Sequence, residues 1–307
     1  PFTVVGFSPT IPVVIVGLLL AWAFVEWERT AAARGWSPLV GTDLFGIGTL
    51  RAGLASQMIL YFIIAGSFFV LPLYLQTVLG LDALQSGIRM LPLSVALFLM
   101  ALIGSRLATR YPPRTLIRLG IIVACLGLLL LIGAITPDAR GTLFAIAMTA
   151  IGVGVGLAIS QIGNVNLSSV DDSRSSEAGG LQGTAQNLGQ SLGVALAGTA
   201  VFIGLASSFS TAVSDNPDIN ATLQREVVNA TATGVPIVTV QQAEQALVQQ
   251  GVPPEQAEQV VDDYAASKLQ ALRLGLGIVF LVGLVGLPLT RGLPRQTLTS
   301  APQPEAG

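Results

Sequence analysis

Long apolar runs recur along the chain, each set off from the next by a short polar or charged stretch. Seven of them fall at residues 9–27, 52–75, 86–105, 115–135, 142–163, 180–206 and 272–290. Each is near the roughly 20 residues a helix needs to cross a hydrocarbon core about 30 Å thick. Backbone amides in lipid have no water to bond, so a spanning segment is either a helix or one strand of a closed barrel. These runs are continuous and leucine-rich, without the ten-residue alternation of a barrel strand. The pattern predicts an all-α, polytopic membrane helix bundle.

One segment, residues 207–270, departs from this pattern. Two helix-like pieces are expected in it. The second begins at Pro253–Pro254–Glu255 and carries Ala257, Val260, Val261, Tyr264, Ala265 and Leu272 near one face, so it is expected to run on into the last span. The segment reads as a solvated cap over the helix ends; a substrate-gating lid is the alternative.

Composition narrows the classes. Only 10% of the 307 residues are charged, against about 25% in soluble domains, and the mean hydropathy is +0.72. The pairs Gly152/Gly156 and Gly189/Gly193 have the spacing that lets membrane helices approach closely. The chain has no histidine, which removes His-based catalysis and His-ligated metal sites, and no carboxylate falls in mid-span. Its serines have no base beside them, so a hydrolase triad fails. No enzyme, metal or cofactor is therefore expected. Cys125 is alone, which leaves it a packing role. Lys268 is the only lysine, and no basic patch suggests nucleic acid. The Asn-x-Thr triplets at Asn220 and Asn229 match the glycosylation pattern, a motif short enough to arise by chance.

Charge sets the orientation. Arg106, Arg110, Arg114 and Arg118 form the densest basic cluster, which the positive-inside rule assigns to the cytoplasm. Alternation puts residues 28–51 (with Arg29 and Arg34), residues 164–179 and the tail with Arg291 and Arg295 on the same side. The loops near Leu81 and Pro137 and the segment 207–270 fall opposite. The expected location is the cell (inner or plasma) membrane with a cytoplasmic C-terminus. Arg106, Arg110 and Arg114 are expected to anchor the inner loop, and Arg89 to snorkel to the outer interface, with a substrate or gating contact as the alternative.

Polarity is uneven among the spans. Residues 119–135 and 274–289 carry almost no hydrogen-bonding side chains, whereas 180–206 carries Gln182, Thr184, Gln186, Asn187, Gln190 and Ser191. Gln182, Gln186 and Gln190 are spaced four apart, as are Gln57 and Tyr61, and residues four apart share a helix face. Gln161, Asn164 and Asn166 sit towards the cytoplasmic end of another span. Polar side chains are costly against lipid, so they face a partner helix or a wet cavity. For any single amide, helix-to-helix bonding remains the alternative. Counted from residue 52, the bland helices are the third and sixth, as expected of two three-helix repeats that each send the third helix outside. The expected cavity lining is Gln57, Tyr61, Gln161, Asn164, Gln182, Gln186, Asn187 and Gln190.

Several stretches together resemble a known family. Leu73–Tyr74–Leu75–Gln76, Gly80, Gly87 and Leu91–Pro92, within residues 68–110, resemble fourteen-helix drug:proton antiporters of the major facilitator superfamily. So do Phe24–Val25–Glu26, Ser37–Pro38–Leu39–Val40, Leu44–Phe45, Glu177–Ala178–Gly179–Gly180 and the run Gln190–Ser191–Leu192–Gly193–Val194–Ala195–Leu196. The resemblance implies a preceding transmembrane helix and cytoplasmic linker at 1–51, a C-terminal six-helix bundle at 52–291 and a cytoplasmic tail at 292–307. It implies that the N-terminal half, with the family's proton-carrying carboxylate, is missing; the opening Pro1, in place of Met, suggests a fragment. The superfamily loop pattern is degenerate, with Ser105, Thr109 and Pro112 in place of glycine, aspartate and glycine, while Arg110 and Arg114 remain. The implied activity is proton-coupled export of small apolar or cationic molecules by alternating access. A non-transporting scaffold or receptor-like bundle and a membrane-embedded enzyme are the competing classes.

Overall fold

The computed structural model describes residues 10–34, 41–137, 141–217, 219–231, 237–249 and 252–297, and among them there are helices and turns but no strand. Residues 1–9, the stretch Ser37–Val40 and the tail beyond residue 297 lie outside the described residues. Helix α1 (Thr10–Ala33) covers most of the first apolar run. It is followed by α2 (Gly48–Thr77), α3 (Ala83–Leu107), α4 (Pro113–Ala134), α5 (Gly141–Leu167) and α6 (Ser175–Asp215). Two short helices, α7 (Ala221–Thr231) and α8 (Val240–Gln249), precede the long α9 (Pro254–Gly286). Six described helices, α2 to α6 and α9, are long and apolar enough to cross a membrane. The seventh expected span, the first along the chain, falls on α1, which is helical over 24 residues. It makes no extended contact with the other helices among the described residues, and Val13, Val14, Leu18, Leu19 and Trp22 are exposed along it.

Local chemistry explains the ends. After α2 the chain turns sharply at Gly80, which has φ +64, a conformation that favours glycine. Asp82 then caps α3: its Oδ1 accepts from the Gln85 amide at 2.8 Å, and Gln85 Oε1 accepts from the Asp82 amide at 3.2 Å. α4 and α9 each open on proline, whose missing N–H is no loss in a first turn.

The six long helices interlock as two trios. The first helix of each trio packs against the second and third helices of the other: α2 against α6 and α9, α5 against α3 and α4. Both expected glycine pairs lie at these crossings. A β-carbon on Gly193 would come 2.5 Å from the Phe62 carbonyl oxygen of α2, and Gly189 faces the Met58 backbone; Gly152 and Gly156 face the Leu93 and Leu97 carbonyls of α3. Buried Cys125 packs against Gly283 of α9.

The expectation that α4 and α9 lie outermost is met unequally: 33% of the apolar stretch of α9 is buried, but α4 is more enclosed. α4 is wedged between α5 and α9, and half of its apolar stretch is buried. α3 is the least covered, with 17% buried, because it rests mainly on α5. Its other side bares Leu84, Ile88, Leu91, Val95, Phe98 and Leu102.

The polar segment after α6 holds three helical pieces where two were expected. α7 packs on α6 and α8 on α9, and α9 does run unbroken from Pro254 into the last apolar stretch. Ala257, Val260, Val261, Tyr264 and Leu272 of its expected apolar face are buried. Lys268 is buried too. Its Nζ donates to the Val238 carbonyl at 2.7 Å and to the Thr77 carbonyl at 2.9 Å, and lies 4.7 Å from the Tyr264 ring centre. One turn on, Arg273 donates to the Ile135 carbonyl at 2.6 Å. α9 thus supplies the cations that satisfy carbonyls left over at the ends of α2 and α4.

Candidate functional site

The N-termini of α2 and α6 and the C-terminus of α5 meet at one end of the bundle, the end that also carries Arg106, Arg110 and Arg114. The two glycines of α6 bring it flush with α2, and the amides one turn below that contact cannot close against each other. They leave a cleft of about 400 Å³ lined by Gln57, Leu60 and Tyr61 of α2, Ile159, Ile162 and Gly163 of α5, and Gly179, Gln182, Gly183 and Gln186 of α6. Four of the eight expected lining residues, Gln57, Tyr61, Gln182 and Gln186, are thereby brought together.

Gln57 is nearly closed off, with 5% of its surface exposed. Its Nε2 donates to the Gln182 backbone carbonyl at 3.1 Å, and its Oε1 accepts from Asn166 Nδ2 at 2.7 Å. Among the described residues the side-chain amides of Gln182 and Gln186 make no hydrogen bond within the chain, and both are half-buried at the cleft wall. The cleft is therefore apolar from α5 and amide-rich from α6, a surface able to hold a flat apolar body and bond its polar edge.

The other four expected residues lie elsewhere. Asn164 is exposed and lines a neighbouring cleft of about 450 Å³ with Thr109, Ser168, Asp172 and Ser175. Gln161 is fully buried: its Nε2 donates to the Gly104 carbonyl of α3 at 2.8 Å and to Ser160 Oγ at 2.9 Å, tying α5 to α3. Asn187 is exposed and donates back to the Gly183 carbonyl of its own helix at 2.9 Å. Gln190 is half-buried and lines neither cleft. The reason is rotational. At 3.6 residues per turn, a side chain eight positions on has swung by about 80°, so Gln182 and Gln190 do not share a wall.

At the same end, Arg106, Arg110 and Arg114 surround the α3–α4 turn with no ion-pair partner among the described residues. Arg89 is exposed near the start of α3, at the opposite end. The strongest ion cluster is one that spacing did not reveal. Arg174 donates to both carboxylate oxygens of Asp43 and, at 3.1 and 3.0 Å, to Glu177. Glu177 Oε2 also accepts from the Gly41 amide at 2.8 Å. Beneath it Leu44, Leu50, Leu54, Ala178, Leu181 and Ala185 form a small core. The Arg174 guanidinium holds the Asp43 carboxyl below the usual carboxylate range. The clamp fixes the segment before α2 onto the first turns of α6, the helix that carries Gln182 and Gln186. Arg174 and Glu177, three residues apart, were within reach of the sequence; Asp43, 131 positions from Arg174, was not.

No group of three or more potential metal ligands occurs among the described residues.

Comparison with known proteins adds a family. Residues 2–194 match the Major Facilitator Superfamily. The chain is 28% identical over 223 residues to a probable actinorhodin transporter of Streptomyces coelicolor, covering 71% of this chain and 38% of that protein. It is 28% identical over 205 residues to the drug efflux pump JefA of Mycobacterium tuberculosis, covering 65% of this chain and 38% of the pump. It is 24% identical over 196 residues to a methylenomycin A resistance protein of Bacillus subtilis, covering 64% of this chain and 41% of that protein. The matched part is thus well under half the length of these relatives.

Proposed function

The chain belongs to the major facilitator superfamily, and from that premise we propose that it is the C-terminal portion of a proton-coupled multidrug exporter. In this reading residues 52–291 form one six-helix half, preceded by a transmembrane helix and cytoplasmic linker at 1–51 and followed by a cytoplasmic tail at 292–307. A second, N-terminal half supplies the proton-carrying carboxylate, and the two halves rock about a path between them. The arginine-rich end faces the cytoplasm of a cell membrane, where Arg106, Arg110 and Arg114 anchor the inner loop. Substrates are small apolar or cationic molecules. They enter past Gln182 and Gln186, with Asn164 nearer the mouth and Tyr61 offering an aromatic face to cations.

The observation that carries this reading is the cleft itself. A scaffold would seal its interior by pairing amides with amides, yet the Gln182 and Gln186 side chains border open space. Drug export by named relatives points the same way: JefA is a drug efflux pump and another relative, in Streptomyces glaucescens, is a tetracenomycin C resistance and export protein. The test is accumulation of a panel of apolar and cationic dyes in an efflux-deficient host expressing the complete reading frame, with and without a proton uncoupler. Lower accumulation that the uncoupler reverses is expected. Accumulation unchanged for every dye overturns the proposal.

A further inference from the structure

Gln57 reaches the cleft with its amide in one orientation, set by the Gln182 carbonyl and held from the other side by a buried neighbour. Asn166 of α5 is 0% exposed and donates from Nδ2 to Gln57 Oε1 at 2.7 Å, while Gln57 Nε2 donates to the backbone carbonyl of Gln182 at 3.1 Å. The order of donors in this chain is not free. A peptide carbonyl only accepts, so Gln57 must turn its NH₂ to α6 and its oxygen to α5, and Asn166 must meet that oxygen with its own NH₂. Gln182 lines the cleft and Asn166 does not. The polar atom of Gln57 on the cleft side is therefore its nitrogen, which keeps a second proton beyond the one given to Gln182.

The other end of Asn166 shows how firmly this arrangement is held. Its Oδ1 is buried without a hydrogen-bond donor. It lies against Gly53 of α2, where a β-carbon would collide with it. An unpaired buried acceptor is a standing cost. Here it falls on the one side chain that orients Gln57.

We infer that Asn166 is a positioning residue for substrate selection: by holding the Gln57 oxygen it keeps an N–H turned to the cleft, which favours compounds carrying a hydrogen-bond acceptor such as a quinone or ketone oxygen. This rests on the reading of the cleft as part of the transport path. Asn166 touches no substrate; it acts through Gln57. Without it, Gln57 Oε1 loses its donor and the amide hangs on its single bond to the Gln182 carbonyl, so the N–H turned to the cleft is no longer held in place for an acceptor.

The test uses the complete transporter in proteoliposomes and two probes of matched ring count, an anthraquinone and an anthracene. Asn166→Leu is expected to raise the KM for the anthraquinone roughly three- to tenfold, the size of one neutral hydrogen bond. The KM for the anthracene stays unchanged. Gly53→Ala, which displaces Asn166 without altering either amide, is expected to give the same split, and serves if Asn166→Leu does not fold. Equal shifts for both probes, or none, overturn the role of Asn166 provided Gln57→Leu still changes the anthraquinone KM. If Gln57→Leu changes neither probe, the cleft is not on the path and both readings fall together.

Discussion

Gly193 lies flat on Phe62: a β-carbon at residue 193 would stand 2.5 Å from the Phe62 carbonyl oxygen. No rotamer relieves a contact made by backbone, so the helices would have to separate. Gly193→Ala is expected to destabilise the bundle by about 1–3 kcal/mol, the usual cost of overpacking. Gly183→Ala, at a position with open space around it, should melt like the parent in detergent. Matching melting temperatures for the two variants would refute the close-packed contact between α2 and α6.

Lys268 gives a second expectation. Buried Lys268 gives its ammonium two half-buried carbonyl partners and the face of buried Tyr264. Lys268→Met keeps the apolar stem and removes the donors, stranding the Thr77 carbonyl and leaving that of Val238 with the Tyr264 hydroxyl alone. A loss of about 2–3 kcal/mol is expected, since hydrogen bonds to charged groups are worth more than neutral ones. Faster hydrogen exchange of residues 237–249 and of the last turn of α2 would check it; unaltered exchange would show that the cap is held by other contacts.

Transport depends on Gln186 if the cleft carries substrate. Gln186→Leu leaves the wall packed and removes its free amide. Its KM for polar-edged substrates should rise roughly three- to tenfold with melting temperature unchanged. Intact transport of every substrate would remove Gln186 from the path.

Acid should loosen the segment before α2. Asp43 has its pKa lowered from the ordinary 3.8, with the hydrogen bond from Arg174 as the largest cause. A depressed carboxylate pKa contributes stability that is full above the unfolded value and is lost as pH falls through the folded one. A spin label at exposed Phe45 should stay immobile at neutral pH and gain mobility only below about pH 4. In Arg174→Met the label should be mobile at neutral pH already. A label equally immobile in both proteins would show that the Leu44 contacts suffice.

Architecture was legible from the chain because lipid leaves so few choices. All seven apolar runs fall on helices of 22 residues or more, and the unbroken passage from Pro254 into the last apolar run was visible from its amphipathic face. The glycine pairs were legible because backbone contact needs small residues at a fixed spacing. The extra short helix in the cap was not, since α7 and α8 are polar pieces held by what they dock on. The burial of α4 escaped notice for a related reason: an apolar helix facing lipid and one wedged between helices have the same composition.

The cleft was half legible. Spacing by four picked out Gln57 with Tyr61 and Gln182 with Gln186, but extending the rule to Gln190 ignored the drift of a real helix. Gln161 and Asn166, alike in sequence, differ in which neighbour they meet. One pins α5 to α3 and the other reaches α2, a distinction made only by packing.

The capping of α2 and α4 by α9 has a consequence for how the bundle is made. Lys268 and Arg273 leave the ribosome after α2 and α4, whose carbonyls they satisfy, so the C-terminal ends of those two helices lack these partners until α9 is made. The bundle is complete only once α9 has been made. A nascent chain stopped before residue 268 would carry α2 to α6 and still lack the piece that locks them.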